Sequence, residues 1–280
     1  MTPHRAAVSD IVRLALREDI GPGDISTDSS VPADRAACGE FLAKQDGTMA
    51  GLYVVEECFR QSGPGCALET LCHEGAQFAC GDIVARVSGP ARQILTTERV
   101  ALNFLQRLCG VATMTYRFVK AVEGTGARIL DTRKTTPGLR VLEKYAVRAG
   151  AGHNHRFALY DGVILKDNHI EAAGGIATAV AAARARVPHT TKIEVETTTL
   201  DEVNEALQAG ADIIMLDNMD CDTMRRAVAL IDHRSLTEAS GGVGLETVGD
   251  IARTGVDLIS VGKLTHSAPA VDISLELRLV

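Results

Sequence analysis

The sequence predicts an α/β protein: an open α/β barrel of about six parallel strands, preceded by a small α+β unit. Three observations carry that expectation. Apolar residues make up 46% of the 280 residues, yet Trp is absent and aromatics reach only 4%. The core must then be built from Ala, Val, Leu and Ile, which suits helices packed on a parallel sheet. From Ala127 onward, short apolar runs alternate with helical stretches, the pattern of right-handed crossovers onto a parallel sheet. Finally, each of those runs ends in polar or glycine residues.

Residues 5–19 read as an amphipathic helix, with Val8, Ile11, Val12, Ala15 and Leu16 on one stripe. Gly21-Pro22-Gly23 stops it. Strand-like stretches follow at 37–43, 67–72 and 82–87, between glycine-rich turns. A long helix is expected over 96–121, with a break near Gly110. Beyond it, apolar runs recur at 128–130, 162–165, 192–195, 212–216, 236–239 and 257–261. Helices are expected between most of them, at 138–149, 176–187, 200–209, 222–231 and 245–253. Six such units make a barrel smaller or more open than the eight-unit form.

Composition removes several classes of function. A net charge of −7 argues against nonspecific nucleic-acid binding, because the phosphate backbone rewards cationic surfaces. The seven cysteines are odd in number, scattered, and form no CxxC pair, so neither a zinc site nor a secreted disulfide framework is expected. Residues 1–10 contain no apolar signal-peptide core. No apolar run approaches the roughly 18 residues of a membrane span. A soluble, cytoplasmic protein with reduced thiols is the expectation.

The chemistry is expected where the strands end, since the carboxyl ends of barrel strands form the active-site mouth. The first run leads into Asp131-Thr132-Arg133-Lys134 and the second into Lys166-Asp167-Asn168-His169. The third supplies Glu194 and Glu196, and the fourth Asp217 and Asn218. The last two lead into Ser240-Gly241-Gly242 and Gly262-Lys263. Between Arg128 and Ile170 eight Lys or Arg face four acids, a local excess of positive charge inside an acidic chain. Arg140, Lys144 and Arg148 are spaced by four and are expected on a solvated helix face, with Glu143 on the same helix. Arg133, Lys134, Arg156 and Lys166 sit at strand ends or in loops. A cationic cluster there repels itself unless an anion fills it, and arginine pairs bidentately with carboxylate or phosphate. Ser240-Gly241-Gly242-Val243-Gly244, ahead of an expected helix, has the form of a phosphate loop. Glu196 and Asp217 are the anionic counterpart, suited to Mg²⁺, ribose hydroxyls or an oxocarbenium-like centre.

The ordered string Asp131-Thr132-Arg133-Lys134-Thr135-Thr136-Pro137-Gly138-Leu139-Arg140, Leu142-Glu143-Lys144-Tyr145-Ala146-Val147, Asn154-His155-Arg156 and Lys166-Asp167-Asn168-His169 resembles the quinolinate phosphoribosyltransferase family. Thr97-Glu98-Arg99, Ala101-Leu102-Asn103-Phe104-Leu105, Glu238-Ala239-Ser240-Gly241-Gly242, Val261-Gly262 and Leu264-Thr265-His266-Ser267 extend the likeness over nearly the whole chain. The resemblance implies an α/β sandwich from residues 1–112 with 268–280, and an open barrel from 113–267. It implies a homodimer whose active sites are shared, with Arg99 reaching into the neighbour's barrel. The implied reaction joins quinolinate to phosphoribosyl pyrophosphate, giving nicotinate mononucleotide, pyrophosphate and CO₂ for NAD synthesis. By the same resemblance Arg133, His155, Arg156 and Lys166, beside Thr132, bind the quinolinate carboxylates. Lys134, Glu196, Asp217, Ser240, Gly241, Gly242 and Gly262 line the phosphoribosyl side. Lys134, Lys166, Glu196 and Asp217 are the implied catalytic groups. Mg²⁺ would sit mainly on the pyrophosphate, with Glu196 and Asp217 as its protein ligands.

Some positions depart from the family pattern: Ala149 and Ala151 in the glycine-rich stretch before Asn154, Ala158 where glycine is common, and Gly244 and Lys263 near the phosphate loop. They bear on loop geometry and substrate affinity. Rival readings are a relative of this family used in molybdenum metabolism, a silent phosphate-binding barrel, and a metal-dependent hydrolase built on His153, His155 and His169. The intact Lys166-Asp167-Asn168-His169 match disfavours the first. Acidic and basic mouth residues together disfavour the second, and the surrounding arginines with the acidic net charge disfavour the third.

Overall fold

Strand and helix alternate along the chain much as the apolar pattern requires. A computed structural model describes residues 5–279. The first half runs α1 (Arg5–Ile20), α2 (Ile25–Ser30), β1 (Ala36–Ala43), β2 (Gly47–Thr48), α3 (Leu52–Ser62), β3 (Ala67–Thr70), β4 (Gln77–Phe78), β5 (Ile83–Pro90) and α4 (Ala91–Ala121). There follow β6 (Arg128–Leu130), α5 (Arg140–Ala149), β7 (Val163–Leu165), α6 (Asp167–Ala173), α7 (Ile176–Arg184), β8 (Ile193–Thr197) and α8 (Leu200–Gln208). The chain ends with β9 (Ile213–Asp217), α9 (Cys221–Ile231), β10 (Leu236–Ser240), α10 (Val248–Ala252), β11 (Leu258–Ser260), α11 (Lys263–His266) and β12 (Ile273–Leu279).

Contacts divide the chain into two compact units. One comprises the chain up to Tyr116, Thr135–Ala151 and the chain from Leu264 onward. Its sheet is antiparallel, in the order β12-β1-β5-β3. In β1 burial alternates with the pleat, so Ala37, Gly39, Phe41 and Ala43 face the core while Cys38, Glu40 and Leu42 are more exposed. The C-terminal strand β12 joins this sheet, with Phe41 opposite Leu275. The tail thus belongs with the N-terminal part.

The second unit holds a six-stranded parallel sheet, ordered β6-β11-β10-β9-β8-β7. In β8, Ile193, Glu194, Val195 and Thr197 are buried although they alternate in direction, as expected of a strand covered on both faces. Helices start on local caps: Thr199 and Glu202 form a capping box on α8, and the Asp220 carboxylate accepts from Thr223 N–H at 2.7 Å on α9. All six predicted barrel strands are present within two residues of their expected bounds.

Several elements differ from expectation. Helix α4 is unbroken through Gly110, because that glycine fits beneath the Pro269 carbonyl, where a Cβ would collide. Helix α3 replaces an expected loop. Its buried Leu52, Val55, Cys58 and Phe59 do carry helical spacing, and a left-handed Gly51 opens it. Helix α6 follows Lys166 directly, where only a loop was expected. The face of α5 carrying Lys144 is not solvated. Glu143 and Lys144 are both buried, and only Arg148 of the three cations is exposed. Glu143 pairs with Arg107 Nη2 at 2.7 Å and accepts from Thr136 N–H at 2.9 Å, all within the first unit. Of the expected non-signal N-terminus, residues 1–4 lie outside the described chain, and the rest starts α1. No described helix is long and apolar enough to cross a membrane.

Candidate active site

At the C-terminal ends of the parallel strands lies a cavity of about 620 Å³. Thr132, Arg133 and Lys134 follow β6, and Lys166 follows β7. Glu196 comes from β8, Asp217 from β9, and Ser240, Gly241 and Gly242 from the end of β10. His155 and Arg156 enter from the segment before β7. Eleven of the thirteen predicted site residues therefore line one cavity. Arg99 is exposed on α4 in the other unit, and Gly262 follows β11 without lining the cavity.

The segment that delivers His155 and Arg156 is anchored through Asp131. This fully buried carboxylate accepts from the His155 N–H at 2.9 Å and from Asn154 Nδ2 at 2.6 Å. A single parallel bridge, Leu130 to His153, fastens the same segment to β6. Asp131 is thus a builder of the site, a role its place in the sequence does not announce.

Electrostatics favour an anionic occupant. Burial, then the charge of Arg133, destabilises the Arg156 guanidinium and lowers its pKa. Its Nη1 donates to Gly162 O at 2.8 Å, but its buried Nε has no hydrogen-bond partner. Lys166 Nζ lies 2.5 Å from Glu196 Oε2, a contact that bridges the basic and acidic halves. Asp217 Oδ2 accepts from Asn218 Nδ2 at 2.7 Å.

Behind the mouth, His155 Nε2 stands 3.2 Å from Glu194 Oε2 and 3.4 Å from Glu238 Oε1. Burial opposes a charge on the ring, but the two carboxylates outweigh it and push the imidazole up to about 10. Burial raises Glu194 as well, against the His155 contact and with help from the Glu238 charge. The Arg156 N–H donates to His155 Nδ1 at 2.7 Å, which works against a second ring proton. In the singly and the doubly protonated ring alike, Nε2 then carries a proton turned toward the carboxylates.

The glycine loop owes its shape to backbone geometry. Gly241 has φ +92° and Gly242 φ +62°, conformations side chains resist, and a Cβ on Gly241 would run into Asn218 Oδ1. Helix α10 begins only at Val248, later than expected, so the loop Ser240 to Gly242 lines the cavity itself and does not lead directly into a helix start. The histidine cluster of the rival hydrolase does not form. His169 Nδ1 accepts from Lys166 N–H at 3.0 Å, and the one cluster close enough for a metal among the described residues is His155, Glu194 and Glu238.

Residues missed from sequence follow a rule. Ile164, Met215, Glu238 and Ser260 line the cavity, and each lies two positions before a predicted one: Lys166, Asp217, Ser240 and Gly262. Alternate strand residues share a face, so counting back by two from each strand end would have found them. Asn218 is the exception, placed by a left-handed backbone (φ 54°) after β9.

Comparison with known proteins agrees with this geometry. Family models for the N-terminal and C-terminal domains of quinolinate phosphoribosyl transferase match residues 24–109 and 111–276. A Bacillus subtilis protein named as a carboxylating nicotinate-nucleotide pyrophosphorylase is 46% identical over 94% of this chain and 90% of its own. A Nicotiana glauca protein named as a mitochondrial decarboxylating quinolinate phosphoribosyltransferase is 42% identical over 96% of this chain and 82% of its own. The crystal structure of NadC from Streptococcus pyogenes superposes with a TM-score of 0.97 at 41% identity, covering 100% of this chain and 99% of that one. The chain, with its cationic and acidic cavity walls at the ends of six parallel strands, belongs to the quinolinate phosphoribosyltransferase family.

Proposed function

We propose that this chain transfers a phosphoribosyl group from phosphoribosyl pyrophosphate to quinolinate with loss of CO₂, giving nicotinate mononucleotide and pyrophosphate for NAD synthesis. The observation that carries this is a single cavity lined by two chemistries: the cations Arg133, Arg156 and Lys166, and Glu196 and Asp217 with the Ser240–Gly242 loop. Both substrates are polyanions, which accounts for a basic mouth on an acidic chain.

Arg133, Arg156 and Lys166, with Thr132 and His155 beside them, hold the two carboxylates. Lys134 and the loop N–H groups hold phosphate oxygens. The pyridine nitrogen attacks the anomeric carbon as the bond to pyrophosphate breaks. Glu196 and Asp217 face the positive charge that develops on the ribosyl ring, so orientation and electrostatics carry the catalysis. The ring nitrogen, now positive, stabilises the electron pair left on the adjacent carbon when its carboxylate departs as CO₂, and a proton then takes up that pair on carbon.

Glu196 and Asp217 offer the hard oxygen donors that suit Mg²⁺. Lys166 already neutralises part of Glu196. Mg²⁺ held chiefly by the pyrophosphate, with these carboxylates behind it, fits that arrangement and would neutralise the leaving group. We read the working unit as a homodimer in which Arg99 completes a partner's site, with Gly262 supporting the phosphate loop. The seven cysteines, none of them bonded, suit a reducing cytoplasm.

The test is direct. Protein incubated with quinolinate, phosphoribosyl pyrophosphate and Mg²⁺ should release nicotinate mononucleotide and CO₂ in equal amounts, and a chelator should stop it. Folded protein that forms neither product would overturn the reading.

A further inference from the structure

A second cavity, of about 320 Å³, lies within the parallel-sheet unit and shares His155, Arg156, Ile164 and Glu238 with the mouth. Arg128, Val163, Ile213 and Leu258 place it at the N-terminal ends of β6, β7, β9 and β11. His155 and Glu238 line both spaces, and Glu194 lines only the second.

The cluster is built at an energetic cost. Glu194 and Glu238 are 2% and 1% exposed. Glu194 Oε1 and both Glu238 oxygens have no hydrogen-bond partner. Buried carboxylates left short of partners destabilise a fold, and replacing them is often neutral or stabilising. Neither residue is needed to make the strand, since Thr237 and Ala239 flank Glu238 in a regular parallel ladder. What the pair does hold is the ring. Nε2 is turned onto both carboxylates, and Nδ1 accepts the Arg156 N–H at 2.7 Å. The two contacts at Nε2 orient the imidazole in either protonation state, and Arg156, next in the chain and fixed through Nη1 on Gly162 O, lies beside it.

We propose that Glu238, together with Glu194, is a positioning residue: the pair holds the His155 ring, beside Arg156, in the geometry that receives the quinolinate carboxylates. The inference rests on the function proposed above but touches only the quinolinate half of the site. Glu238 itself forms no bond to substrate. A retained Nε2 proton favours hydrogen bonding in this cluster over metal ligation.

Glu238→Gln and Glu238→Leu variants separate this role from a structural one. The quinolinate KM should rise by about tenfold in Glu238→Leu, which removes the carboxylate 3.4 Å from His155 Nε2. It should rise less in Glu238→Gln, which keeps an acceptor. The KM for phosphoribosyl pyrophosphate should stay within about twofold, well below the tenfold that 1.4 kcal/mol represents. The melting temperature should not fall. An unchanged quinolinate KM, an equal rise in both KM values, or loss of folded protein in both variants would each overturn the proposal, the last by making the pair a stabilising element. An activity-independent readout keeps it apart from the functional reading. The His155 ring ¹⁵N signals should show a protonated Nε2 in the wild type and shift in Glu238→Gln. An unshifted ring pattern defeats the positioning role even if the enzyme makes a different product.

Discussion

Arg133 and Lys166 line the cavity from the ends of β6 and β7, where the proposed function has them meet an anionic substrate. Neither side chain is part of a core, so their removal leaves packing intact. Arg133→Ala or Lys166→Ala should lower kcat/KM by about 10² or more, the scale of a lost electrostatic contact in a preorganised site. Melting temperature should be unchanged within error; a variant that loses activity only by unfolding contradicts the assignment. His155 gives a pH signature. Its folded pKa is raised above the ordinary imidazole value, so the stabilisation it contributes is fully present below about 6.5 and fades as pH rises through about 10. An NMR titration of the ring should show no inflection near 6.5. One there would mean that the glutamates do not hold the proton, and that the Arg156 N–H prevails.

Helix α4 and the β10 loop show how elements override local preference. Alanine is the better helix former by about 1 kcal/mol, yet Gly110 is the residue on which the Pro269 carbonyl rests. Gly110→Ala should therefore destabilise by about 1–3 kcal/mol, the usual cost of overpacking, despite its gain in propensity. Denaturant titration measures it; a stabilised variant would mean that the two backbones can part freely. At the loop, Gly241→Ala meets both a left-handed φ and the Asn218 side chain, which itself holds Asp217. The expected result is a raised KM for phosphoribosyl pyrophosphate with quinolinate affinity largely retained.

For the whole molecule, an acidic chain carries a cavity lined by four cations and three carboxylates, and in the proposed function the cations draw in the anionic substrates. If active sites are shared, Arg99→Ala and Arg133→Ala subunits, each inactive alone, should recover up to about a quarter of wild-type activity when mixed, by random pairing of a symmetric dimer. Verified mixed dimers without recovery would count against Arg99 acting in trans. Much of this was legible in the sequence. The six barrel strands stood out because a strand covered on both faces must be a short apolar run, and Arg133, Lys166, Glu196 and Asp217 because polar residues cut those runs off. Asp131 and Glu238 were not legible as site builders. An acid in or beside an apolar run looks the same whether it anchors a loop, holds a histidine or faces water.

The sequence by itself determined the class of fold, the family and the end of the parallel strands at which most of the expected site residues gather. Period and composition are local properties, and the ordered motif survives without knowing what touches what. Only the tertiary structure decided that Lys144 is buried and that Gly110 does not break its helix. It alone brought His155 between Glu194 and Glu238, three residues from distant parts of the chain. Such pairings arise from strand order and the face each side chain takes, and no local pattern records them.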